Sequence, residues 1–375
     1  MALKFGILGA NGFIGSRTVE MFHLADLAEV RPIVRHYSSL AGVSRFNLDY
    51  RIADAFDQAA LRKAFSGCDV VLHTVAGDPK TILGTLTPTY QAAQEAGVRC
   101  LIYLSSASVH GQAPIPGSDE NSPLNDEQPL PYNKAKVEAE RKLHQLRSNG
   151  EVELVILRPG IVFGPRSYWV ASFAESLLQG TAYLIDGGRG ICNSIYIDNL
   201  VHAIYLAATQ PGIDGEAFLV GDSETITWAK LYEPIAQALG FDFAQIPEAT
   251  LPKPKAASLL DRSDAIRMSK PVQTFLSIFP MKLRQVAYMG LMTLRPIPPT
   301  SPWNMPQPEK PVASLEMSLL YQCQYKLPHT KATQRLGYEP PISFPEGCRR
   351  TVAWLDFAGY PVSRISAPVD RRVGA

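Results

Sequence analysis

Ser106, Tyr132 and Lys136 are the side chains with which this chain could move a proton. Tyr132 and Lys136 stand four residues apart at the start of a helical stretch, so they share one face. An ammonium beside a phenol favours the phenolate and pulls down a pKa that is ordinarily about 10. Tyr132 would then give or take a proton near neutrality. Ser106, at the tip of an apolar run over residues 98–105, could hydrogen-bond the oxygen that is protonated. Tyr-x-x-x-Lys alone is also an ordinary surface pairing, so its meaning depends on what precedes it.

Lys4-Phe5-Gly6-Ile7-Leu8-Gly9-Ala10-Asn11-Gly12-Phe13-Ile14-Gly15 precedes it, and reads as a short apolar strand, a glycine turn and the first turn of a helix. Gly9 permits the turn, Gly12 lets the backbone approach a pyrophosphate, and Gly15 lets the helix pack close to the strand. The unpaired N–H groups of the helix start favour an anion. This spacing predicts a nucleotide site. A second strand over 29–34 ends at Arg35, where a nucleotide-binding fold meets the adenosine ribose. An acidic residue there would bind the 2′-hydroxyl, whereas an arginine can pair with a 2′-phosphate. Arg35 therefore favours NADP over NAD, with a solvated surface arginine as the alternative. Asp54 closes a strand over 50–54 and could hold the adenine amino group. Thr74, Val75 and Ala76 end a strand over 68–77 and leave room for a flat ring. An oxidised nicotinamide bound there would add to the lowering of the Tyr132 pKa. His73 reads as a packed strand-end histidine.

The elements between these residues alternate. Helical patterns over 57–65 and 85–96 (Gly97 as stop) separate the strands, and further strands fall at 98–105 and 151–158. That alternation predicts an α/β fold with a Rossmann-type, doubly wound parallel sheet, with ligands at the carboxyl ends of its strands. Beyond it, 167–178, 200–209, 228–239 and 345–357 read as helices and 217–220 as a strand.

Composition excludes several classes. The 375 residues carry 36 basic and 35 acidic side chains, so no global field recruits nucleic acid. Five scattered cysteines suit neither a disulfide framework nor a zinc site, and no metal is expected. The chain enters its first strand at once and has no apolar run long enough to span a bilayer, so a cytoplasmic protein is expected.

Taken together, these residues resemble the extended short-chain dehydrogenase/reductase superfamily, in its NAD-dependent epimerase/dehydratase branch. The resemblance rests on Gly9-x-x-Gly12-x-x-Gly15, Asp54, His73-Thr74-Val75-Ala76, Ser105-Ser106-x-x-Val109-His110-Gly111 and Tyr132-x-x-x-Lys136. Leu157-Arg158-Pro159-Gly160-Ile161-Val162-Phe163-Gly164-Pro165 and Tyr196-Ile197-Asp198-Asn199-Leu200 extend it, and 330–340 matches a late signature of the family. It implies a catalytic triad of Ser106, Tyr132 and Lys136. The cofactor would be held by Gly9, Asn11, Gly12, Phe13, Ile14, Gly15, Arg35, Asp54, Thr74, Val75, Ala76, Tyr132, Lys136 and Pro159. Three departures stand out: His110 where a tyrosine is common, Asn199 where a second aspartate is usual, and no asparagine before Gly84-Thr85.

The expected organisation is a nucleotide-binding lobe, 1–164 plus about 191–220, and a smaller, discontinuous α/β substrate lobe, about 165–190 plus 221–360. An atypical insertion falls at about 245–325 and a polar tail at 361–375. Ser108 and Trp169 could contact substrate, and Arg189 could meet an anionic group or simply be solvated. Within the insertion, residues 251–295 hold eight basic and two acidic side chains among apolar ones, and seven prolines follow over 296–311. This stretch is either ordinary lobe core or a basic surface for peripheral membrane contact. The expected activity is that of an oxidoreductase, epimerase or dehydratase that moves a hydride between a nicotinamide and a small-molecule carbinol or ketone. A nucleotide sugar is the first substrate expected, and a steroid-like or flavonol-like carbonyl compound the alternative. A non-catalytic cofactor-binding subunit or redox sensor is the rival from another class, and a homodimer is compatible with the family.

Overall fold

The computed structural model describes residues 3–251 and 311–363. Everything below concerns the unit made of residues 1–248 and 315–375. The basic stretch 251–295, apart from Leu251, lies outside the described residues, as do most of the proline run and of the polar tail.

Apolar, β-branched runs form the sheet: β1 (Lys4–Leu8), β2 (Glu29–Val34), β3 (Arg51–Ile52), β4 (Val70–His73), β5 (Cys100–Leu104), β6 (Glu153–Pro159) and, after two short strands, β9 (Ala217–Val220). All pair in parallel in the order β3-β2-β1-β4-β5-β6-β9. The strands β4 and β5 are buried along their whole length, as expected of a sheet covered on both faces. Strand order reverses between β1 and β4, so the crevice of a doubly wound sheet opens there. The short strands β7 (Ile161–Phe163) and β8 (Ser194–Tyr196) pair as a second parallel ribbon.

Helices α1 (Phe13–Leu24), α2 (Gln58–Phe65), α4 (Leu86–Glu95), α5 (Pro131–Ser148) and α7 (Ile197–Thr209) are the main ones flanking the sheet. Among the helical segments that were not expected is α3 (Pro79–Gly84), where Asp78 caps the Thr81 N–H at 2.7 Å and Pro79 occupies the first turn. Beyond the sheet lie α6 (Tyr168–Leu178), α8 (Trp228–Ala238), α9 (Leu315–Leu320), α10 (Thr330–Leu336) and α11 (Phe344–Phe357). Aromatic contacts knit them: Phe173 stacks on Tyr232 at 3.9 Å and Trp228 on Tyr321 at 5.1 Å.

Asn199 explains its own departure from the family pattern. Its amide nitrogen donates to Asp222 and to the Ile342 carbonyl, each at 2.8 Å, while its oxygen accepts from Ile342 N at 2.9 Å. An aspartate could not donate, and would set a second carboxylate against the buried Asp222, whose own pKa burial already raises to about 6.

Candidate active site

The glycine turn sits at the switch point between β1 and β4. Gly9 has φ +90°, and a Cβ there would lie 2.6 Å from Thr74 Oγ1. A Cβ on Gly15 would run into the Gly9 carbonyl oxygen, so the first turn of α1 can lie against the end of β1 only without one. Thr74 Oγ1 donates to the Leu8 carbonyl at 2.8 Å and ties β4 to the same turn.

Two depressions meet along this turn. The first, about 420 Å³, is bordered by Gly9, Asn11, Gly12, Arg35, Asp54, Thr74, Val75 and Ala76 among others. The second, about 480 Å³, is bordered by Phe13, Ile14, Ser106, Ser108, Tyr132, Lys136, Pro159 and Trp169 among others. Thr74 and Ala76 border both, so together they make a trough suited to a dinucleotide. Every side chain expected at the site borders one or the other except Gly15, which lies beneath the turn, and Arg189. Arg189 is exposed and ion-paired with Asp186, so the structure does not bring it to the cleft.

In the first depression, Arg35 Nε donates to His36 Nε2 at 3.0 Å, and Asp54 accepts from Phe56 N at 3.0 Å. In the second, Ser106 Oγ accepts from Ser108 N at 3.2 Å and from the Ser108 hydroxyl at 2.9 Å. With both lone pairs taken, the proton of Ser106 is left for an oxygen in the cleft.

The tyrosine–lysine pair differs from the simple helical picture. Lys136 is buried, and its Nζ donates to the Leu104 carbonyl at 2.7 Å and to Tyr103 Oη at 3.2 Å. It lies 5.8 Å from the centre of the Tyr132 ring. Burial lowers its pKa to about 7, opposed by the charge of Glu140. Tyr132 is not lowered, as expected from the ammonium, but pushed up to about 12 by desolvation, with the Glu316 carboxylate adding to the rise. Tyr132 is 39% exposed. Water therefore reaches part of the ring, and the upward direction is what matters for its chemistry. The phenol is protonated at neutral pH, the state that gives a proton to a carbonyl oxygen. His73 is neutral, its pKa brought down to about 3 by burial and the nearby Lys136, and Nε2 pairs with Thr85 Oγ1 at 3.1 Å.

Sequence reasoning passed over Gln112 and Glu316, which also border the catalytic cleft. Glu316 lies far along the chain from Tyr132 and carries no motif, so no local signal marks it. Glu140 had a signal, because it continues the four-residue spacing of Tyr132 and Lys136.

A parallel doubly wound sheet, a glycine turn at its switch point and a tyrosine–lysine helix beside a strand-end serine define an enzyme of the extended short-chain dehydrogenase/reductase type, dependent on a pyridine nucleotide. The chain belongs to the 3-beta hydroxysteroid dehydrogenase/isomerase family, whose sequence profile matches residues 6–250. It is 26% identical over 384 residues to the 3beta-hydroxysteroid-dehydrogenase/decarboxylase isoform 1 of Arabidopsis thaliana, covering 92% of this chain and 78% of that one. It is 27% identical over 265 residues to a UDP-glucose 4-epimerase of Vibrio cholerae, covering 64% and 77%. Among solved structures, a UDP-glucose 4-epimerase of Thermotoga maritima shares the fold at TM-score 0.66 and 19% identity, covering 95% of this chain and 99% of that one. A dTDP-glucose 4,6-dehydratase of Bacillus anthracis, solved with NAD, does so at TM-score 0.67 and 15% identity, covering 96% and 98%. Among the described residues no helix is long and apolar enough to cross a membrane.

Proposed function

We propose that the enzyme interconverts a secondary alcohol and a ketone on a bulky, uncharged, apolar molecule of steroid type, with NADP favoured over NAD. The lining of the catalytic cleft carries this reading. Beyond Ser106 and Tyr132 it is bordered by Ile161, Val162, Tyr168, Trp169 and Leu320. Gln112 also borders a neighbouring cavity of about 590 Å³, lined largely by apolar side chains that include Ile115, Pro116, Leu124 and Leu319. Apart from Lys136, the one charged side chain bordering the catalytic cleft among the described residues is Glu316. A carboxylate disfavours the diphosphate of a nucleotide sugar, and Arg189, the cation expected to meet such a group, is elsewhere. A nucleotide sugar is the second reading, favoured by the likeness to UDP-glucose 4-epimerases in both sequence and fold.

When bound, the cofactor supplies the hydride donor or acceptor at its nicotinamide ring. The trough fits it: the bare glycine turn admits a pyrophosphate at the start of α1, and Arg35 stands at the adenosine end, where it would pair with a 2′-phosphate. Ser106 donates a hydrogen bond from its hydroxyl to the reacting oxygen and fixes its position. Tyr132 gives that oxygen a proton in reduction, and in oxidation its phenolate takes one. Lys136, in its ammonium form, has an N–H left over from its bonds to Tyr103 and Leu104 to offer the cofactor ribose. An apolar substrate drawn from a bilayer would also give a purpose to the excess basic charge of residues 251–295, six by subtraction of two acidic from eight basic side chains.

The test is a spectrophotometric screen with NADP and NAD against 3β-hydroxysteroids, smaller alicyclic alcohols and UDP-glucose. Formation of reduced nicotinamide with the polycyclic alcohols supports the proposal. Epimerisation leaves no net reduced nicotinamide, so UDP-glucose is followed by chromatography of its 4-epimer, and conversion confined to that sugar would refute the proposal.

A further inference from the structure

One face of α5 carries Tyr132, Lys136 and Glu140, each about one turn after the last. The first two border the cleft, and Glu140 is fully buried behind them. Its carboxylate accepts from Arg158 Nε at 3.0 Å and Nη2 at 2.6 Å, and from the Ser105 hydroxyl. Arg158, also buried, turns Nη1 to His110 Nε2 and to the Glu120 carbonyl, each at 3.1 Å. His110 is held neutral by burial and by Arg158, so its Nε2 can accept.

The network joins the segments that present the cleft residues. Ser105 adjoins Ser106, Arg158 adjoins Pro159, His110 closes the 3₁₀ turn Ala107–His110 that carries Ser108, and Glu140 shares its helix with Tyr132 and Lys136. A buried ion pair adds little stability over a well-packed apolar replacement, so its use lies in fixing geometry and charge. Among the described residues, the titratable groups facing Lys136 are His73 on β4, Tyr103 on β5, and Tyr132 and Glu140 on α5. His73 and both phenols are neutral near pH 7. Glu140 is therefore the anion among them.

We propose that Glu140 and Arg158 are positioning residues of this site: the pair locks the strand ends bearing Ser106 and Pro159 to the helix bearing Tyr132 and Lys136, and holds the Glu140 carboxylate one helical turn beyond Lys136. This rests on the reading of Lys136 as a cofactor contact. The experiment is NADPH binding to the full chain, followed by nicotinamide fluorescence from about pH 5 to about pH 9. Wild type should lose affinity as Lys136 loses its proton. Glu140→Gln keeps the shape and removes the charge, and should bring that loss about one pH unit lower. Should Glu140→Gln not fold, Glu140→Gln with Arg158→Met removes both charges and should show a smaller acid displacement, because loss of the guanidinium partly offsets loss of the carboxylate. An unchanged midpoint in whichever variant folds makes the pair merely structural and overturns the proposal alone. A pH dependence that persists unaltered in Lys136→Met overturns both the proposal and the role given to Lys136.

Discussion

Replacing Lys136 by methionine should make the protein more stable at slightly acid pH while abolishing its activity. The buried ammonium is the reason. Its pKa falls from 10.5 to about 7 on folding, which corresponds to a cost of about 5 kcal/mol where the group is charged in both states. Methionine escapes that cost but forfeits the bonds to the Leu104 carbonyl and Tyr103 Oη, together about 2 kcal/mol. The net gain is about 2–3 kcal/mol below pH ~7. With an unfolding entropy of about 0.8 kcal/mol/K for a chain of 375 residues, Tm should rise by about 3 °C. The pH dependence gives the sign. Between about 7 and 10.5 the unfolded chain binds the proton that the folded one has lost, so wild type gains stability as pH rises through that window and the variant does not. The advantage of Lys136→Met should therefore shrink above pH ~7 and vanish or reverse by about pH 9.5. Thermal melts of both proteins at about pH 6 and about pH 9.5 check this. A variant less stable at the lower pH, or a gap equal at both, would refute the reading of Lys136 as a strained, buried charge.

Two further outcomes follow from the same site. Tyr132→Phe should cut turnover by about 10²–10⁴-fold, with NADPH affinity nearly unchanged in a fluorescence titration, because the ring stays and the proton goes. Arg35→Ala should weaken NADP by about ten- to hundredfold, with a far smaller effect on NAD, measured as paired dissociation constants. Equal losses for both cofactors would make Arg35 a surface residue.

The sheet was legible because its strands are continuous apolar runs and its turn needs residues without a Cβ. Both are local requirements, and Gly9 at φ +90° meets one of them. The Tyr132 pKa was not legible. Helical spacing assumes that Lys136 turns to its neighbour on α5, whereas Tyr103 and the Leu104 carbonyl, on β5, capture its N–H groups. Partners set by tertiary packing likewise decide Asn199, whose amide answers Asp222 and Ile342. The segment 79–84 reads as a loop when only apolar periodicity is weighed. The cap at Asp78 and the proline after it are the local marks of the helix that forms. Glu316 was beyond reach for another reason, since it comes to Tyr132 from the far side of residues 252–310.

The central claim is that Ser106, Tyr132 and Lys136 serve hydride transfer at the carbinol carbon of an apolar substrate. A 3β-hydroxysteroid deuterated at that carbon tests it most directly, incubated with enzyme and NADP and followed by mass spectrometry. The account predicts a ketone product that has lost the deuterium and a reduced nicotinamide that carries it, with neither formed by Tyr132→Phe. Recovery of the steroid with its deuterium in place, alongside interconversion of UDP-glucose and its 4-epimer by the same preparation, would contradict it.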